Sequence, residues 1–182
     1  MTYQPIFPAS LQPAALALLR VLPVAELVPA RQGFQVSVQG ESLSAPGRVY
    51  YSPKSLHSVI ATSTGDPRTL ALCLGTRHCD GHIREECLRQ IVAVDRAWVV
   101  PFIVQLVGEY VLEIVELIAA AVPRMNPEHL SEFAAANPQF MATTRRRATS
   151  YWDCYHRSRF KRLQTYPGIV ALDSIEQPAR SS

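Results

Sequence analysis

A mainly α-helical domain is the fold class the sequence predicts, and three observations carry it. Apolar residues recur at helical spacing from Ser52 nearly to the C-terminus. Three prolines, each preceded by a capping residue, mark helix starts at Ser52-Pro53, Asn126-Pro127 and Asn137-Pro138. Period-two alternation is confined to one stretch, where Phe34, Val36 and Val38 interleave with Gln35, Ser37 and Gln39.

In chain order, residues 1–10 read as an extended lead-in, since Pro5 and Pro8 interrupt any regular element. A first helix over 11–22 carries Leu16, Leu18, Leu19 and Leu22 and stops before Pro23. The alternating strand follows, Gly40 supplies a turn, and a second, irregular strand over 43–51 completes an accessory β-hairpin. Helical hairpins occupy 52–122. Their arms include one ending at Leu74, one with the stripe Ile83, Cys87, Leu88 and Ile91, one over 98–106, and one with the stripe Val111, Ile114, Val115 and Ile118. C-terminal helices fill 127–163, with Asn126 and Asn137 as caps. The second runs from 138 to 163 with Phe140, Thr144, Ala148, Tyr151, Trp152 and Tyr155 on its core face. Tyr166-Pro167-Gly168 ends it, leaving a short apolar segment and a frayed tail over 176–182.

At 182 residues the chain suits one domain, 1–175, and buries roughly 70% of its unfolded surface. Hydrophobic residues at 48% and charged residues at 18%, with a mean hydropathy of +0.03, exclude general disorder. The net charge of +3 is far below that of a dedicated nucleic-acid binder. A chain of this size needs no disulfide staples, so Cys73, Cys79, Cys87 and Cys154 read as reduced thiols of a cytoplasmic protein. The first cation, Arg20, lies inside an apolar stretch that Glu26 and prolines break, which argues against an export signal. The apolar tract 97–122 carries Gln105, Glu109, Glu113 and Glu116, which suits a buried core and not a membrane span.

Setting residues 70–91 against 98–119 brings Leu74 onto Phe102, Ile83 onto Val111 and Cys87 onto Val115. Asp80-Gly81-His82-Ile83-Arg84 with Cys87 and Ile91 resembles the corner and second helix of a HEAT-type repeat, over about a third of the chain. The offset of 28 is shorter than the usual period of about 40–47, and Leu112 stands where the first unit has Arg84. The resemblance implies stacked helical hairpins and a non-enzymatic role in protein interaction. Thr76 to Gly81 together with Ser150 to Tyr155 is also similar to uncharacterised bacterial proteins, a likeness that implies no activity.

Three constellations could carry chemistry. His78, Cys79 and His82 are the candidate metal ligands, but their spacing matches no zinc pattern, and a polar turn with no cofactor is expected. Asp153, Cys154 and His156 cannot act as a triad, because neighbours on one helical turn do not face each other. Glu109, Glu113 and Glu116, at i, i+4 and i+7, read as a face that is solvated or paired with cations on a neighbouring helix.

The strongest hint is the basic C-terminal helix, where Arg146, Arg157 and Lys161 share a face with Arg145 and Arg162 close by. With its aromatic residues other than Phe160 facing the core, that surface suits an acidic protein partner. An adaptor, or an immunity or regulatory partner of a larger bacterial protein, is the expected class. Nucleic-acid association ranks second and is not favoured, and an unrecognised hydrolase ranks third.

Overall fold

The computed structural model describes residues 5–22 and 33–177. Among them run nine α-helices and one two-stranded antiparallel sheet, the mainly helical fold with a single hairpin that the sequence predicts. No described helix is long and apolar enough to cross a membrane. The chain divides into two compact units, Met1–Val94 and Asp95–Ser182.

In the first unit, α1 (Gln12–Val21) follows a 3₁₀ turn and buries Ala15 and Leu18, with Leu22 just beyond. Leu16, expected on that stripe, is 58% exposed, because positions 15, 18 and 22 define the buried line and residue 16 lies about 100° from residue 15. The stop expected at Pro23 falls outside the described residues, as do residues 1–4 of the lead-in and 178–182 of the tail. Strands β1 (Phe34–Val38) and β2 (Glu41–Ala45) pair from Val38 with Glu41 to Phe34 with Ala45. The two-residue turn needs positive φ at both positions, and Gln39 (49°) with Gly40 (82°) supplies it.

The second strand is shorter than predicted and lies earlier. Pro46 has no N–H to continue the ladder, so the chain turns away and Val49 instead exchanges hydrogen bonds of 2.9 Å with Arg77 and Cys79. Helices α2 (Pro53–Thr62), α3 (Gly65–Gly75) and α4 (Gly81–Ile91) follow. α3 packs against α1, α2 and α4 and is buried all round from Thr69 to Gly75. Each large apolar side chain hidden there contributes about 1.5–3 kcal/mol.

The second unit has its own fully buried helix, α5 (Val100–Val107), set between α6 (Leu112–Ala121), α7 (Pro127–Ala136), α8 (Pro138–Tyr151) and α9 (Pro167–Ile175). α9 is a helix where the sequence predicts only a short apolar segment. Pro167 in its first turn and the buried residues Ile169, Ala171, Leu172 and Ile175 explain why it forms. The stripe of α6 is Ile114, Val115 and Ile118; Val111 precedes the helix and is only half-buried. The two hairpins matched in sequence, α3–α4 and α5–α6, belong to different units.

Candidate interaction surface at the π turn

α8 starts at Pro138, but Asn137 does not cap it as predicted. Its side-chain amide donates 2.8 Å back to Phe133 O, closing the end of α7 instead. The expected partner cap, Asn126, does accept from Glu128 N at 3.0 Å. The predicted single helix over 138–163 is also shorter. α-Helical geometry ends at Tyr151, a π turn spans Trp152–His156, and the chain leaves the helix before a 3₁₀ turn at Leu163–Thr165.

That π turn changes which side chains face water. A π turn takes more residues per turn than an α turn, so the side chains beyond it fall out of phase with the core stripe. Thr144 and Ala148 lie before it and are buried as expected, whereas Tyr151 and Trp152 are half-buried and Tyr155 is 66% exposed. Arg146, Arg157 and Lys161 therefore do not share one helical face: Arg146 is on α8, Arg157 follows the π turn, and Lys161 lies outside any helix.

Around the turn a ring cluster assembles from three parts of the unit. Tyr110, 56% exposed, meets Tyr151 at a centroid distance of 6.2 Å, and Tyr151 meets Tyr155 at 6.2 Å. His156 stacks on the buried Tyr166 at 5.6 Å and 15°, and its Nε2–H donates to Tyr110 O at 3.2 Å. Phe160 meets Tyr166 edge-on at 5.7 Å. The Tyr166 hydroxyl is buried without a hydrogen-bond partner among the described residues, and burial, followed by the charge of Glu116, pushes its phenol up to about 12.

Cations brace these rings. Arg157 lies 5.2 Å over Trp152 and binds Asp153 at 2.8 Å, while Trp152 Nε1 donates to Phe160 O at 2.8 Å. Arg159 lies 5.4 Å over Phe160 and pairs with Glu116 at 2.7 Å. Arg145 is half-buried and joins α8 to α9 through Asp173 (2.8 Å) and Glu176 (2.6 Å). Burial works against its charge, but the two carboxylates prevail and raise its pKa above the usual value. Arg146 donates to Thr143 Oγ1 at 2.9 Å and is exposed, as are Arg147, Lys161 and Arg162.

The carboxylates do not form one stripe. Glu113 and Glu116 are on α6, with Glu116 paired to a cation of the basic segment, but Glu109 precedes the helix and is buried. In the same region, the sequence neighbours Asp153, Cys154 and His156 are engaged separately, Asp153 by Arg157 and His156 by the Tyr110 carbonyl, while Cys154 is exposed.

In the first unit, the metal-candidate turn is tied into the backbone. His78 is buried, its Nδ1 accepting from Asp80 N at 3.0 Å and its Nε2–H donating to Tyr51 O at 2.8 Å. Both ring nitrogens are thus occupied. Cys79 and His82 are exposed, and no group of three or more His, Cys, Asp or Glu among the described residues is placed to hold a metal ion. Asp80 Oδ1 caps α4 by accepting from His82 N at 2.8 Å, and buried Arg84 Nη1 donates to His78 O (2.9 Å) and Cys79 O (3.0 Å). Cys73 and Cys87 are buried, and burial raises both thiol pKa values, Cys87 to about 12.

Sequence reasoning placed Phe160 off the core face of the basic segment but missed Tyr110 and the buried Tyr166 as members of the ring cluster. Tyr110 and His156 meet across 46 residues of chain, and no local pattern announces that contact. No family model, curated protein or solved structure matches this chain.

Proposed function

We propose that this chain is a non-enzymatic interaction protein, an adaptor or a regulatory partner of a larger protein, and that it binds an acidic protein surface around the π turn. One observation carries the reading. Residues 145–162 hold seven cations against the lone Asp153, and the cations with carboxylate partners (Arg145, Arg157, Arg159) brace the scaffold while Arg146, Arg147, Lys161 and Arg162 stand exposed, in the unit that also exposes Tyr155 and Tyr110. Tyr, Trp and Arg are the residues that dominate protein-binding hot spots. Held in place by stacking and ion pairs, these rings lose little entropy on binding.

The 66% exposure of Tyr155 favours a second reading, single-stranded nucleic acid, which stacks bases on open rings. It ranks lower because Trp152 is covered by Arg157 and Tyr151 lies between two other tyrosines.

The test compares the wild-type chain with the triple variant Arg146→Glu/Lys161→Glu/Arg162→Glu in affinity purification, with folding followed by circular dichroism. All three side chains are exposed, so each reversal should change stability by about 0.5 kcal/mol or less. The expected result is a protein retained by the wild type, with or without nuclease, and lost by the folded variant. Retention that disappears with nuclease, or an oligonucleotide affinity falling steeply with salt, would move the second reading ahead.

A further inference from the structure

The outer face of α8 carries a feature the basic cluster does not account for. Two hollows of about 700 and 690 Å³ lie along this helix and share Ala142 and Arg145. One runs toward α7, lined by Ala134, Ala135, Pro138 and Met141 and also by Glu132. The other runs toward the π turn, lined by Arg146, Thr149, Trp152 and Asp153. Positions 138, 142, 145, 149 and 152 follow one another by three or four residues, so a single stripe of the helix floors both. Pro138 to Trp152 spans about 21 Å at 1.5 Å per residue, close to four helical turns, and the two adjoining hollows are read as one trough along it.

Its chemistry changes along its length. The α7 half is lined mainly by apolar side chains (Ala134, Ala135, Pro138, Met141 and Ala142), with Ser131, Glu132 and Glu176 as its polar members, and the guanidinium of Arg145 in the middle is already bound by Asp173 and Glu176. At the π-turn end Asp153 is taken by Arg157, which leaves Arg146 as an exposed cation beside the Trp152 ring. Exposed Glu132 belongs to the α7 half and not to the half that holds Arg146.

We propose that this trough seats one amphipathic helix of a protein partner. Its apolar side chains, at i, i+3 or i+4 and i+7, lie over Ala135, Pro138 and Ala142. Its carboxylates lie over Arg146 and Trp152, and a cation lies over Glu132. The inference rests on the protein-binding reading above and specifies the partner's chemistry. A helix laid in a groove presents anchors at just this spacing. A phosphate backbone does not fit a floor that is mainly apolar over half its length and lined there by a carboxylate.

The probe is a stapled helical peptide of roughly 16 residues with a leucine stripe, glutamates at one end and lysines at the other. Two controls accompany it: a peptide with lysines at both ends, and a proline-broken version of the first. Binding is read from Trp152 fluorescence, since the other tryptophan, Trp98, is buried. The glutamate-ended helix should saturate the wild-type chain below about 100 µM, with both controls at least about tenfold weaker. Ala142→Gln places a longer neutral polar side chain at an exposed position in mid-trough, so the fold should persist while binding weakens about tenfold. Arg146→Glu should reverse the preference toward the lysine-ended peptide.

Equal binding of the helical and broken peptides, indifference to Ala142→Gln, or no saturation at 1 mM would overturn the proposal. So would displacement of the peptide by a single-stranded oligonucleotide at a lower concentration than the peptide itself needs. If the natural partner is lost with the triple charge reversal yet ignores Ala142→Gln, the protein-binding reading stands and the trough assignment falls.

Discussion

Replacing Gly75 by alanine puts a methyl group where α3 packs closely against Cys87 of α4. An added Cβ would lie 3.2 Å from Cys87 Cβ and 3.4 Å from Leu56 Cδ2, and would overlap Cys87 Sγ outright. Cys87 and Leu56 are both fully buried, so the sulfur has no open side to move into. Overpacking of this kind costs about 1–3 kcal/mol. Against it stands the better helix propensity of alanine, at most about 1 kcal/mol and less at the last residue of a helix.

The expected net loss is about 1–2 kcal/mol, which for a unit of 60–100 residues lowers Tm by roughly 4–8 °C per kcal/mol. The assay is urea and thermal denaturation of the wild type, Gly75→Ala, Cys87→Ala and the double variant. Removing the sulfur should relieve the overlap, so the double variant should be more stable than the two single losses predict by about 1–2 kcal/mol. Additive losses, or a Gly75→Ala chain as stable as the wild type, would refute the close packing of α3 on α4.

Two further predictions follow from burial. The Tyr166 phenol keeps its proton in the folded chain up to about pH 12, whereas an unfolded chain releases it near 10. The stability gained from that difference is complete below about pH 10 and disappears as pH rises through 12, a loss of about 2–3 kcal/mol; urea midpoints should fall over that window, and Tyr166→Phe should flatten the fall, whereas seven tyrosines titrating together in absorbance at 295 nm would contradict it. Cys79 and Cys154 are exposed, while Cys73 and Cys87 are buried with raised pKa values, so thiol titration of the native chain should register two residues at once and the other two only on unfolding.

The sequence predicts elements well where a local signal coincides with burial. Asn126-Pro127 both names and caps α7, and Asp80 with Arg84 braces the start of α4, because these contacts join residues a few positions apart. Prediction falters where the deciding contact is distant or the backbone departs from its regular period. β2 ends at Ala45 because Pro46 breaks the ladder and Val49 finds hydrogen bonds near Arg77, about thirty residues on. α9 was hidden by its brevity: nine residues starting at Pro167 carry too few turns to show a period, yet most of them are buried in the second unit.

At the candidate interaction surface the cations were readable and their arrangement was not. Charge density along a chain needs no structure to count, so the excess over residues 145–162 was visible at once. Which of those charges remain available depends on acids far away. Asp173, Glu176 and Glu116 bind Arg145 and Arg159, and this separates bracing cations from open ones within a single run. The aromatic faces depended on one irregular turn. A helix continued at 3.6 residues per turn through Tyr155 would have kept its ring with the core stripe, and the surface would offer cations alone. The π turn at Trp152–His156 turns Tyr155 outward, and His156 ties the turn to Tyr110 and Tyr166. Because those ties run through a carbonyl and a stacked ring, the exposure of Tyr155 is a property of the folded unit and not of the helix that carries it.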